Sequence, residues 1–192
     1  MKRETAYISE ERFEKVNFTE VPLKFTDFEG CTFTNCDFSN LDLSDLKFVD
    51  CAFNGCNLSM IKSHDTVFSD VRFTNCKMLG IRFEDCHAVG ASYEFDHCQL
   101  DYASFYQQHL KKKTIRGCQF KESDFTACDI SRTCFENCDF LLARFDRTNL
   151  EGSDFRTSFN YSINPTVNRI KKAKFSLSGV VGLLDEYDIV IE

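Results

Sequence analysis

The sequence has no Trp, only 2 Pro, only 8 Gly, only 4 His and no long apolar run. A membrane-spanning helix needs about 18 consecutive apolar residues, and no stretch of this chain approaches that, so no such helix is expected. Met1-Lys2-Arg3-Glu4 lacks the apolar core of a signal peptide, so the expected compartment is the cytoplasm. Basic residues are also short: 23 Lys+Arg stand against 30 Asp+Glu, for a net charge of -7. Such a surface repels nucleic acid unless a local basic patch overrides it, and direct nucleic-acid binding is not expected. Cut at residue 93, the chain has 10 basic and 15 acidic residues before the cut and 13 and 15 after it, so the acidity leans to the N-terminal side. GxSxG, P-loop, GxGxxG and HExxH patterns are all missing, and His64, His87, His97 and His109 are scattered. An enzyme, a metal site and a cofactor are therefore not expected.

What the chain has instead is a period of five. From Phe13 the steps run Phe18, Leu23, Phe28, Phe33, Phe38, Leu43, Phe48, Phe53 and Leu58. They stumble at Ser63 and resume through Phe68, Phe73, Met78, Phe83, Ala88 and Tyr93. A second run, shifted by two, goes from Leu100 through Phe105, Leu110 and Ile115 to Phe155. Neither the helical nor the strand period divides five, so this is neither an amphipathic helix nor an alternating strand. Two residues before most large apolar positions lies a second selective slot, filled mainly by Cys, Ser, Thr, Ala or Val, with Leu41, Leu46, Ile61 and Ile81 as larger occupants; ten of the 11 cysteines occupy it and only Cys134 does not. These are small, weakly polar interior residues rather than a disulfide framework.

Units such as Cys36-Asp37-Phe38-Ser39-Asn40 and Cys138-Asp139-Phe140-Leu141-Leu142 resemble the pentapeptide-repeat family, whose idealised unit is A(D/N)LXX. The resemblance covers about residues 11–158 and implies an all-β solenoid, a right-handed quadrilateral β-helix with four pentapeptides per coil. The large residue and the small one two before it would point inward. Cys36, Cys56, Cys76, Cys98, Cys118 and Cys138 give an independent check, because they recur every 20 residues with a single interval of 22. That exception predicts a two-residue insertion within one domain spanning 1–192, placed near 94–97 as an outward bulge. One coil cannot bury its own Phe and Leu, so stacking is what makes the fold stable.

Residues 157–172 break the repeat and predict an irregular loop around Asn164-Pro165. Beyond it, 173–192 predict a cap: Ser176 or Ser178 opening a short helix that carries Val180, Val181, Leu183, Leu184 and Tyr187, then a strand at Ile189–Ile191. This tail is similar to the C-terminal helix and strand of the quinolone-resistance (Qnr-type) and MfpA-type branch, which implies an end-to-end homodimer; the same cluster could simply seal the last coil. The basic stretches Lys111–Lys113 and Arg169, Lys171, Lys172, Lys174 fit an anionic partner or plain solvated surface.

With the interior filled, function is expected on the outer faces. One outer face carries Asp42, Asp45, Asp65, Glu84, Asp85, Asp124 and Asp146. The Qnr/MfpA resemblance, to which Met78–Ala88 also contributes, implies an acidic surface that imitates duplex DNA, binds DNA gyrase or topoisomerase IV, and protects it from quinolones. Qnr-type members that protect strongly carry two projecting loops, whereas the first half here is uninterrupted. The alternative is a scaffold or adaptor with an unrelated partner.

Overall fold

The computed structural model describes residues 6–187 and 189–190. They fall into two compact units, one up to residue 99 and one from residue 100.

The N-terminal unit is built of nine short strands: β1 (Tyr7–Ser9), β2 (Arg12–Glu14), β3 (Asp27–Glu29), β4 (Thr32–Thr34), β5 (Lys47–Val49), β6 (Ala52–Asn54), β7 (Val67–Ser69), β8 (Val71–Thr74) and β9 (Tyr93–Asp96). They make parallel ladders, β1-β3-β5-β7 on one side and β2-β4-β6-β8-β9 on another. Phe28 pairs with Phe48 and Phe48 with Phe68, a step of 20 residues that equals four pentapeptides per coil. The rings follow the backbone. Phe33 stacks on Phe53 at 4.7 Å and Phe53 on Phe73 at 5.1 Å. Burying each Phe contributes about 1.5–3 kcal/mol, and offset stacking adds about 0.5–1.5 kcal/mol.

Two chemical devices let so short a unit turn four times per coil. The first is a left-handed residue two places after the buried apolar one: Asn35, Asn40, Asp45, Asp50 and Gly55 all have φ between 51 and 64. Asn, Asp and Gly adopt this backbone at least cost, which explains their recurrence at the corners. The second device is the inward slot, which donates a hydrogen bond across the coil. Cys76 Sγ points to the Phe53 carbonyl at 3.2 Å, and Thr66 Oγ1 donates to the Leu43 carbonyl at 2.8 Å. Many slot residues thus combine small size with a donor, whereas Leu46, Val71 and Ile81 fill the slot with apolar bulk; Ser63, at the large-apolar position where the run stumbles, donates to the Arg82 carbonyl at 3.0 Å while buried.

The two-residue insertion lies earlier than 94–97. Residues 94–96 belong to β9, which pairs regularly with β8 (Val71↔Tyr93, Phe73↔Phe95) at a step of 22. The His87 N–H still reaches the Thr66 carbonyl in the ordinary register, so the two added residues fall between His87 and Ser92. Ala88, read as inward from the period, is exposed there, and Phe95 takes the stacking position over Phe73 at 5.7 Å. The physical reason is that β9 keeps both Tyr93 and Phe95 buried, so the slack moves into the segment before it, where Ala88, Val89 and Gly90 are exposed.

In the C-terminal unit, β10 (Thr114–Arg116) pairs with β11 (Cys134–Glu136), again 20 residues apart, and isolated bridges such as Asp124↔Arg144 continue the other sides. Phe120 stacks on Phe140 at 5.1 Å and Phe125 on Phe145 at 5.2 Å. Slot donors here are mostly hydroxyls: Ser123, Thr133, Thr148 and Ser153 reach carbonyls 23 residues earlier at 2.6–2.8 Å. The stretch 157–172, expected as an irregular loop, retains much of the coil. Ser158 and Asn168 act as slot donors, Tyr161 and Ile163 are buried, and Arg169 bridges to Asn149.

The tail differs from the expected helix and strand. It forms two 3-10 turns, Gly179–Leu183 and Asp185–Tyr187, and Ile189 and Val190 lie in no strand; Ile191 lies outside the described residues. Glycines and β-branched residues in Gly179-Val180-Val181-Gly182 are poor helix formers. Docking also requires both glycines: a Cβ at Gly179 would collide with the Tyr161 hydroxyl and one at Gly182 with the Tyr161 carbonyl. Ser176 Oγ, rather than Ser178, accepts a backbone bond, from the Gly179 N–H at 3.0 Å, and the Ile163 N–H donates to the Gly182 carbonyl at 2.8 Å.

Candidate functional site

The interior is committed to packing. Ten cysteines are buried and free, and Cys134 in β11 is half-buried. Burial pushes the Cys51, Cys86 and Cys138 thiols up to about 12, which keeps them protonated and unreactive. The Cys134 thiol is also raised, first by burial and then by the carboxylates of Asp154 and Glu136. Among the described residues no group of three or more His, Cys, Asp or Glu side chains is placed to hold a metal ion, and no helix is long and apolar enough to cross a membrane.

The outer corners of the N-terminal unit bring part of the predicted acidic face together. The Asp45 N–H donates to the His64 carbonyl at 3.0 Å, and the Asp65 N–H to the Asp85 carbonyl at 2.9 Å. Asp45, Asp65 and Asp85 therefore stand on successive coils of one corner, all outside the core. Asp42 lies on the adjoining side, bridged to Lys62, with its carboxylate accepting the Ser44 N–H at 3.0 Å. Glu84 sits in the 3-10 turn Phe83–Asp85, mostly covered, with Oε2 buried and without a hydrogen-bond partner. Basic side chains crowd this corner. Arg82 contacts Glu84 and Asp85, each at 3.2 Å, and Asp65 lies 3.4 Å from His64 and 3.9 Å from His87.

In the C-terminal unit, Asp124 and Asp146 are half-buried and have local duties. Asp124 caps its turn by accepting the Thr126 N–H at 2.8 Å. Asp146 is flanked by Arg147 at 3.4 Å and Arg144 at 3.8 Å. The same turn bond recurs at Asp37, Asp129, Asp139, Asn149 and Asp154, so much of the acidity between the two inward positions serves local structure. The predicted cap residues lie on the 3-10 turns, with Leu184 between the two: Val180, Val181 and Tyr187 are exposed, Leu183 and Leu184 half-buried, and none is buried. Leu141, Leu142 and Phe159 add exposed apolar surface on the last coils of the same unit. Periodicity alone did not single these out, because they fall at outward positions; their size and apolar character at those positions is the signal.

The family described as a pentapeptide repeat region matches residues 26–105 and 46–125, and a second description, eight copies of the pentapeptide repeat, matches 123–158. The chain belongs to the pentapeptide-repeat family. No curated protein matches it. Among solved structures, a trypsin-treated form of QnrB1, a plasmid-mediated fluoroquinolone resistance protein, is similar at 19% identity and TM-score 0.63, with 98% of each chain covered. A second trypsin-treated QnrB1 variant gives 18% identity and TM-score 0.50, covering 98% of this chain and 100% of that one. HetL, a pentapeptide-repeat protein involved in heterocyst differentiation regulation from a Nostoc cyanobacterium, gives 15% and 0.47, covering 93% and 90%. At 18–19% identity the two QnrB1 structures show the fold alone, a pentapeptide-repeat β-helix.

Proposed function

We propose that this pentapeptide-repeat chain is a non-enzymatic protein-interaction module, with DNA gyrase or topoisomerase IV as the partner and protection from quinolones as the consequence. The observation that carries the reading is the division between inside and outside. Large apolar residues and slot donors are consumed by stacking, so recognition falls to charged corners and exposed apolar patches. In the N-terminal unit, the Asp45–Asp65–Asp85 corner, with Asp42 and Glu84 beside it, offers carboxylates at the coil spacing of about 4.8 Å. That is closer to a line of phosphates than to an enzyme cleft. Asp124 and Asp146 contribute less, since turn bonds and arginines already engage them. The exposed Val180, Val181 and Tyr187, with Leu183 and Leu184 behind them, are assigned to a homodimer contact through the cap.

A second reading has one observation in its favour. The acidic corner is partly neutralised by Arg82, which contacts Glu84 and Asp85. A DNA mimic needs a denser negative field. A scaffold for an unrelated protein needs no such field. A supercoiling assay separates the two readings. Inhibition of gyrase by the purified protein, or rescue of gyrase from ciprofloxacin, supports the first; no effect on either activity at micromolar protein removes gyrase as the partner. For the dimer, Leu183→Glu is expected to halve the mass seen by light scattering at high salt while leaving the circular dichroism of the coils unchanged.

A further inference from the structure

In the C-terminal unit one left-handed corner is filled by cations. Lys112, Arg132, Gly152 and Lys172 hold φ of 60, 58, 69 and 61 on successive coils. Backbone bonds lock the column together: the Lys112 N–H donates to Ser131 at 3.0 Å, and the Arg132 and Gly152 N–H groups donate to Glu151 and Lys171, each at 2.9 Å. Long side chains are unfavourable at positive φ, where Gly, Asn and Asp are at home. Only five described residues of this backbone type are Lys or Arg (Lys15, Lys112, Arg132, Arg147, Lys172), and three of them stand in this one column. Lys111 and Lys171 sit beside it. All five cations of the corner are exposed and none forms a salt bridge with a described residue. The nearby carboxylates are occupied: Glu151 by Arg169 at 2.9 Å, Asp129 by the Ser131 N–H and Asn149 at 3.0 Å each, although Asp129 also feels Lys111.

The N-terminal unit carries the opposite column. Glu10, Gly30, Asp50 and Asp70 hold φ of 57, 61, 51 and 53, and the first three donate their N–H groups to Glu29, Val49 and Ser69 on the following coil at 2.8, 2.9 and 2.9 Å. Glu11 and Glu29 flank it, with Arg12 as a nearby exposed cation. Glu10, Glu11, Asp50 and Asp70 form no salt bridge with described residues; Glu29 accepts the Tyr7 hydroxyl at 2.9 Å, and the neighbouring Glu94 and Arg72 neutralise one another at 3.1 Å. Each column has four rungs with a glycine at an inner one, and each advances by one coil, about 4.8 Å. Opposite charges thus repeat at the same spacing over the same length. The Asp45–Asp65–Asp85 corner is a poorer match because histidines and Arg82 already partner it.

We propose that the basic corner of one molecule docks along the Glu10–Asp50–Asp70 corner of a second copy of this chain. The contact is electrostatic and distinct from the apolar cap. It is heterologous, so association can continue past a dimer. A polyanion such as duplex DNA fits less well, because the N-terminal unit, with 10 basic and 17 acidic residues, repels it.

Sedimentation velocity at low salt and at about 1 M salt, where the Debye length is roughly 3 Å, tests this. Wild type is expected to self-associate beyond a dimer at low salt and to lose that association at high salt, whereas a cap dimer survives both. A basic-corner reversal (Lys112→Glu, Arg132→Glu, Lys172→Glu) and an acidic-corner reversal (Glu10→Lys, Asp50→Lys, Asp70→Lys) should each weaken self-association at least about tenfold. Mixed one to one, the two reversed proteins present matching corners again and should assemble. Circular dichroism and thermal unfolding of each variant establish that it is folded. Salt-independent mass, reversed variants that associate like wild type, or a folded pair that fails to assemble on mixing would each overturn the proposal. So would retention of duplex DNA by a wild type that does not self-associate.

Discussion

In the N-terminal unit, Cys51, Cys56 and Cys76 aim their thiols at carbonyls 3.5, 3.3 and 3.2 Å away. In the C-terminal unit, Ser123, Thr133 and Ser153 make the corresponding contact at 2.7, 2.6 and 2.7 Å. Sulfur's larger radius explains part of the gap, and the S–H group is a weak donor besides. The same slot is therefore held in two ways: mostly by sulfur packing with a weak bond in the N-terminal unit, where Thr66 is a hydroxyl exception, and more often by a short hydroxyl bond in the C-terminal one, where Cys138 is a sulfur exception. The exteriors diverge as well. The N-terminal unit carries 10 basic against 17 acidic residues, and the C-terminal unit 13 against 13, so the whole net charge of -7 resides in the first. One backbone rule, repeated every five residues, leaves both the slot chemistry and the surface field free to vary.

The largest effect expected from this contrast comes at alkaline pH. Burial raises Cys51 and Cys86 to about 12 from an ordinary value of 9.0, so the folded state resists losing their protons. Stability from such raised groups is complete below pH 9.0 and is lost as the pH climbs toward 12. The loss is of the order of 4 kcal/mol per thiol at the top of the window. Thermal unfolding between those limits checks it, and the double change Cys51→Ser, Cys86→Ser should reduce the alkaline loss of the N-terminal unit, which the raised Cys36, Cys76 and Tyr93 also share, while the C-terminal one keeps the share owed to Cys128 and Cys138.

Next in size is Gly182→Ala, which drives a methyl into the Tyr161 carbonyl and should destabilise the end of the C-terminal unit by about 3 kcal/mol. Gly90→Ala in the N-terminal insertion meets nothing within 4 Å and should cost only the left-handed backbone penalty, about 1 kcal/mol, by denaturant midpoint. Of similar size is Thr133→Val, which removes the 2.6 Å bond to Leu110 and should cost about 1 kcal/mol. Cys76→Ser exchanges one donor for another and should shift stability by less than that. If Cys76→Ser proved the costlier of the two, the donor account of the slot would fail.

The architecture was legible because the buried residues repeat. Phe13 to Phe73 are an unbroken period of five, with apolar residues at every step but Ser63, and the cysteine interval of 20 gives the coil length without reference to the rings. The insertion was legible in length but not in place: a period counts residues and cannot tell whether slack gathers at Val89 and Gly90 or inside β9. The tail misled for a related reason. Val180, Val181, Leu183 and Leu184 look like a helix face, but close packing of Gly179 and Gly182 on Tyr161 fixes a 3-10 turn, and no local pattern encodes Tyr161. The candidate surface was least legible. Asp124, between the two inward positions, caps a turn, whereas Asp45, two after Leu43, stands on an open corner. The coil stacking adds which residues share that corner: Asp45 with Asp65 and Asp85.

The central claim is that the inside specifies the fold and the outside meets the partner. It is tested most directly by paired gyrase supercoiling and melting measurements on the triple variant Asp45→Lys, Asp65→Lys, Asp85→Lys. The account predicts that the variant melts as wild type does and loses any inhibition or quinolone rescue that wild type shows. Full activity in the folded variant, or loss of activity only in step with loss of folding, would contradict it.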